Sequence, residues 1–112
     1  MVFARIAKFY FRKGKREEAF AELDFILNRQ ARNAKGFRGF LSLLSNENKD
    51  TAEILTLWDD EESLVASEKE IFFGAVNKVL NSLEKKPDVE HCRVFSTELY
   101  FHRSSKSELD RM

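Results

Sequence analysis

The chain has 112 residues, enough for one domain with a single core and close to the size at which a partner subunit helps. Lys+Arg and Asp+Glu both number 19, a balance that argues against nucleic acid or an anionic membrane as partner. The composition, 43% hydrophobic and 34% charged, is that of a soluble globular protein, and the lone Cys92 excludes an internal disulfide or a thiolate metal cluster. Nothing resembles a signal peptide or a membrane span, so the expected location is cytoplasmic. Eleven Phe against two Tyr and one Trp is the unusual feature, because large aromatics either fill a core or line an apolar pocket.

Val2 to Arg12 is rich in β-branched and aromatic residues and predicts a strand. Its two faces, Val2, Ala4, Ile6, Lys8, Tyr10 and Phe3, Arg5, Ala7, Phe9, Phe11, are both mostly apolar, so both need cover. A turn at Arg12 to Lys15 leads into a helix over Arg16 to Asn33, with Ala19, Phe20, Leu23, Leu27 and Ala31 on one stripe. Gly36 is the expected stop residue.

Two apolar runs, Gly36 to Ser45 and Thr51 to Asp60, flank the polar connection Asn46-Glu47-Asn48-Lys49-Asp50 and predict a β-hairpin. Asp59 and Asp60 can cap a short helical turn over Glu61 to Ala66. Ser67-Glu68-Lys69-Glu70 has the Ser-x-x-Glu form of a capping box, so a second helical segment is expected from Ser67 to about Leu83. Its apolar stripe is Phe72, Val76, Val79, Leu80 and Leu83. After Pro87, Val89 to Phe101 reads as a long last strand, and Ser104 to Met112 as a frayed polar tail following a domain of residues 1–103.

The order strand, helix, strand, strand, helix, strand predicts an α+β, ferredoxin-like βαββαβ sandwich with both helices on one face of a four-stranded antiparallel sheet. The other, apolar face predicts a homodimer packed sheet to sheet, with the long fourth strand reaching over the partner.

Gly36-Phe37-Arg38-Gly39-Phe40, followed by Ile54-Leu55-Thr56-Leu57-Trp58-Asp59-Asp60-Glu61-Glu62-Ser63-Leu64, resembles the antibiotic biosynthesis monooxygenase family of dimeric α/β-barrel proteins. The resemblance covers roughly Val2 to Phe101. It implies an apolar pocket between sheet and helices, where some members oxygenate polycyclic phenols or quinols with no metal or flavin. Each motif residue also has a structural reading: Gly36 ends a helix, Gly39 suits a bulge, and Trp58 anchors a strand end. Another branch of the family degrades haem, and its active-site Asn, Trp and His fall at positions 7, 67 and 77, where this chain has Ala7, Ser67 and Asn77. An Asn hardly replaces the axial imidazole, which argues against that chemistry here.

For a cofactor-free reaction the expected walls are Ala7, Phe9, Phe37, Phe40, Trp58, Phe72 and Phe73, around a small aromatic ligand. The candidate polar groups are Asn77 to orient a carbonyl or hydroxyl, Arg5 to stabilise a phenolate, and His91 as a base. Ser67 reads as a helix cap, Cys92 as a small buried or interface residue, and the acidic run Asp59 to Glu62 as a helix start. The competing function is a non-catalytic dimer that binds a hydrophobic ligand or a protein. An enclosed cavity with Arg5, Asn77 or His91 inside favours the enzyme; a filled core with all three outside favours the binding module.

Overall fold

The computed structural model describes residues 1–98, so the expected tail and the last residues of the expected fourth strand lie outside the described residues. The chain runs β1 (Phe3–Tyr10), α1 (Arg16–Ala31), β2 (Phe37–Leu44), β3 (Thr51–Trp58), α2 (Glu61–Ser67), a π-helical turn (Glu68–Phe72), α3 (Phe73–Lys78), a short 3-10 turn (Leu80–Ser82) and β4 (Asp88–Arg93). The strands form one antiparallel sheet in the order β2-β3-β1-β4, the ferredoxin-like arrangement expected from the element order.

One face of the sheet carries the core. Ala7 and Phe9 of β1, with Phe11 just beyond it, pack with Ala52 and Ile54 of β3 against Phe20, Leu23 and Leu27 of α1 and Phe72, Ala75, Val76 and Val79 of the second helical arm. Phe9 stands within 6.4 Å, centroid to centroid, of Phe11, Phe20 and Phe72. Much of the phenylalanine excess is therefore spent on filling the centre of the domain. The opposite face presents Ile6, Leu41, Leu55, Leu57 and Cys92 half-buried around Ala4, with no helix of the described residues over it.

Two glycines shape the hairpin. Gly36, at φ +79°, turns the chain into β2, and a Cβ there would meet the Ser63 side chain at 2.5 Å. The pairing of β2 with β3 slips between Phe37 and Gly39, with Gly39 at φ +151°, so that Arg38 is an extra residue in the strand. In a regular strand positions 37 and 40 would face opposite sides. The bulge brings both rings to the helix-covered side, 6.4 Å apart.

Three expectations change. First, Ser67 does not start a helix: it has helical backbone angles and makes no capping bond, and the chain continues through it into the π-helical turn. The capping-box pattern fixes residue types but does not compel the backbone to begin there. Second, Phe72, Val76, Val79 and Leu83 of the expected stripe are buried, with Ile71 and Ala75 beside them, but Leu80 is exposed, as is Phe73. Third, β4 ends at Arg93. Just beyond it, Val94 N–H bonds to Val2 O at 2.8 Å, immediately ahead of β1.

Candidate functional site

The cleft lies between the β2-β3 end of the sheet, α1 and the π-helical turn. Its apolar walls are Phe37, Phe40, Ile54 and Trp58 from the sheet, Leu27 and Ala31 from α1, and Ile71 from the π-helical turn. Its polar lining is Arg5, Thr56 and Ser67 together with Asp24 and Asn28 of α1. The cavity volume is about 10 Å³, close to the least space that admits one water molecule. The cleft is therefore formed in outline but closed over its own walls.

Arg5 is the centre of its polar part. It is only 3% exposed, and its guanidinium lies 4.8 Å from the Phe72 ring centroid and 5.6 Å from that of Trp58. Nη1 donates to Ser67 Oγ at 2.8 Å and to Leu64 O at 3.3 Å, and stands 3.8 Å from Glu68 Oε1. Burial lowers its pKa to about 10, with Glu68 pulling the other way. No sealed side-chain nitrogen or oxygen among the described residues lacks a partner. The guanidinium nitrogens other than Nη1 are therefore not sealed from solvent, and the residue that carries them lines the cleft.

The surrounding elements hold Arg5 in place. Ser67 passes its own hydrogen to Leu64 O at 2.7 Å, which fixes Ser67 Oγ as an acceptor for Arg5. Glu68 is the first residue of the π-helical turn, a type of distortion often found at functional sites. Its Oε1 also accepts from Nε2 of His91, the residue opposite Arg5 on β4. Trp58 donates from Nε1 to Thr56 Oγ1 at 2.9 Å, and its ring meets Phe37 edge-on at 5.3 Å. Asp24, at the other side of the cleft, accepts through Oδ1 from the Ser42 hydroxyl of β2.

Several sequence expectations meet here and several do not. Arg5, Phe37, Phe40 and Trp58 line the cleft together. Ala7, Phe9 and Phe72 are buried in the adjoining core, and Phe73 is 52% exposed on the outer side of its helix. Asn77 is exposed on α3, off the buried stripe of Phe72, Val76, Val79 and Leu83. His91 is also exposed and reaches the site only through Glu68. Glu68, Asp24 and Asn28 were not foreseen. Asp24 and Asn28 stand four apart on α1, a spacing that puts them on one helix face, but nothing local marks that face as a cleft wall. No group of three or more His, Cys, Asp and Glu among the described residues is arranged to hold a metal ion, and no helix is long and apolar enough to cross a membrane.

Comparison with known proteins agrees with this architecture. A Nitrosomonas europaea protein of unknown function superposes with a TM-score of 0.75 at 17% identity, over 90% of this chain and 96% of its own. A conserved protein of Methanosarcina mazei gives 0.69 at 22% identity, over 83% and 92%. Rv0793 of Mycobacterium tuberculosis gives 0.72 at 17%, over 87% and 98%. At these identities the likeness speaks for the fold alone. No curated protein sequence matches the chain. The family profile described as antibiotic biosynthesis monooxygenase matches residues 2–78, which hold β1 through α3 and every residue of the cleft, and the chain belongs to that family.

Proposed function

We propose that the protein is a cofactor-independent monooxygenase acting on a small, flat aromatic or quinol-type substrate in the Arg5 cleft. The observation that carries this reading is a buried guanidinium with unused donors at the edge of an aromatic-walled cleft. An electron-rich phenolic ring must lose a proton before it reacts with dioxygen, and a fixed cation beside the ring oxygen favours that loss. In the simplest balanced case a ring methylene and dioxygen become a carbonyl and water, with the electrons supplied by the substrate. Phe37, Phe40 and Trp58 would keep water from the anion. Because free space is small, substrate entry requires Phe37 and Phe40 to move; both are half-buried on β2, an edge strand held by β3 alone.

A homodimer is part of the proposal. The apolar patch around Ile6, Leu41, Leu55 and Leu57 lacks cover, and Phe95, just past β4, is fully exposed. Changing Leu55 to Lys is expected to halve the sedimenting mass of a dimer. A native protein that sediments as a monomer refutes this part. A cytoplasmic setting fits the lone, unpaired Cys92.

The nearly filled cleft favours a second reading, a non-catalytic dimer that binds a hydrophobic ligand or a protein. The two separate in one experiment: oxygen uptake by metal-free protein over a panel of hydroquinones and anthrones, run beside ligand-induced shifts in melting temperature. Uptake above the spontaneous rate that falls in Arg5→Met supports the oxygenase. Thermal shifts without uptake support the binding module, and neither response refutes both.

A further inference from the structure

Asp24, Ser42 and Asn28 form a second polar end of the cleft, which neither the fold nor the family description explains. Asp24 and Asn28 are half-buried and line the cleft, so they are not simply part of the solvated side of α1. The Ser42 hydroxyl donates to Asp24 Oδ1, which orients the carboxyl group and leaves its other oxygen able to accept. Asn28, one turn further along the same wall, adds one donor and one acceptor.

The register fixes where this end lies relative to Arg5. Arg5 pairs with Thr56, whose partner on β2 is Phe40; Ser42 pairs with Ile54, whose partner on β1 is Ala7. Arg5 and Ser42 are thus two strands apart and offset by two residues, roughly 12 Å between backbones. Phe40, Ile54 and Thr56 occupy the space between. A cationic donor at one end, an anionic acceptor at the other and an aromatic wall between them make a site with a direction.

We infer that the cleft selects a flat, two-ring or larger conjugated ligand carrying an anionic or carbonyl oxygen at the Arg5 end and a hydroxyl at the Asp24 end. This rests on the reading of the cleft as a ligand site and is independent of oxygen chemistry. In such a ligand the hydroxyl hydrogen goes to Asp24, while the oxygen at the far end accepts from Arg5. Conjugation joins the two ends, so a proton drawn toward Asp24 leaves negative charge that spreads to Arg5.

The test uses redox-inert probes under anaerobic conditions, with binding measured by calorimetry. The probes are 6-hydroxy-2-naphthoate, 2-naphthoate and 2-naphthol. The hydroxy acid is expected to bind about tenfold more tightly than either of the others, each of which lacks one polar end. In Asp24→Ala the preference for the hydroxy acid over 2-naphthoate is expected to fall to about onefold. Equal binding of the two acids to the native protein, or a preference that survives in Asp24→Ala, overturns the two-ended reading while leaving a ligand site in place. If none of the three binds, the ligand site falls with it.

Discussion

Among the described residues two arginines are buried, at opposite ends of the sheet, and the difference between them separates a structural role from the ligand-binding role proposed for Arg5. Arg16, 8% exposed at the start of α1, spends its donors within the protein. Nη1 bonds to the carbonyls of Ser45, Asn48 and Thr51 at 2.7 to 3.2 Å, and Nε and Nη2 engage Glu17. It ties the β2-β3 connection to the helix. Arg5 is buried more deeply yet hydrogen-bonds through Nη1, to Ser67 Oγ and the single carbonyl of Leu64, with the Phe72 and Trp58 rings flanking its guanidinium. Burial alone does not distinguish the two; unspent donors do.

The comparison can be broken by experiment, beginning with the largest effect. Arg16→Met leaves three carbonyls short of a charged donor and is expected to cost about 3 kcal/mol of unfolding stability in urea. Arg5→Met replaces a buried charge with an apolar chain of similar length. It is expected to stay within about 1.5 kcal/mol of the native protein while weakening 2-naphthoate binding at least ~10-fold. Equal stability losses in the two variants would make Arg5 another structural clamp. Trp58→Phe removes the bond to Thr56 and part of a fully buried ring, an expected loss of about 1 to 2 kcal/mol in the same assay.

The smallest effect is one of pH. Arg5 keeps its charge in the folded protein only up to about pH 10, whereas the unfolded chain keeps it to a higher pH. Binding of 2-naphthoate should therefore hold steady from neutral pH and decline as pH rises through about 10, and this decline should be absent in Arg5→Met. Above about pH 10 the unfolded chain carries more protons until it too loses this one, so this one group makes stability rise with pH there. Affinity that is flat through pH 10.5 would show that Arg5 does not hold the carboxylate.

Much of the fold was legible because alternation and helical periodicity are local. Arg5 could be picked out for the same reason: it interrupts the run Phe3, Ala7, Phe9, Phe11 on one face of β1, and a cation in such a run must find partners. What could not be read is what depends on approach between distant elements. Glu68 reaches His91 across 23 positions of sequence, and Asp24 meets Ser42 across 18. Both acids look like ordinary polar helix residues until the sheet is placed beneath them. Asn77 went astray for another reason: it follows the buried Val76, and one step along the helix carries it off the stripe of Phe72, Val76, Val79 and Leu83 to the surface.

The extra residue at Arg38 ties the two sides of the sheet to one another. Because side chains alternate along β2, removing that residue while holding the Phe37 pairing would send Phe40, Ser42 and Leu44 outward and bring Leu41 and Leu43 in. The cleft wall and the greasy surface on the back of the sheet would exchange identities together. Single side-chain changes can therefore remodel the cleft alone, but any change in strand length at this spot remodels both faces of the sheet at once.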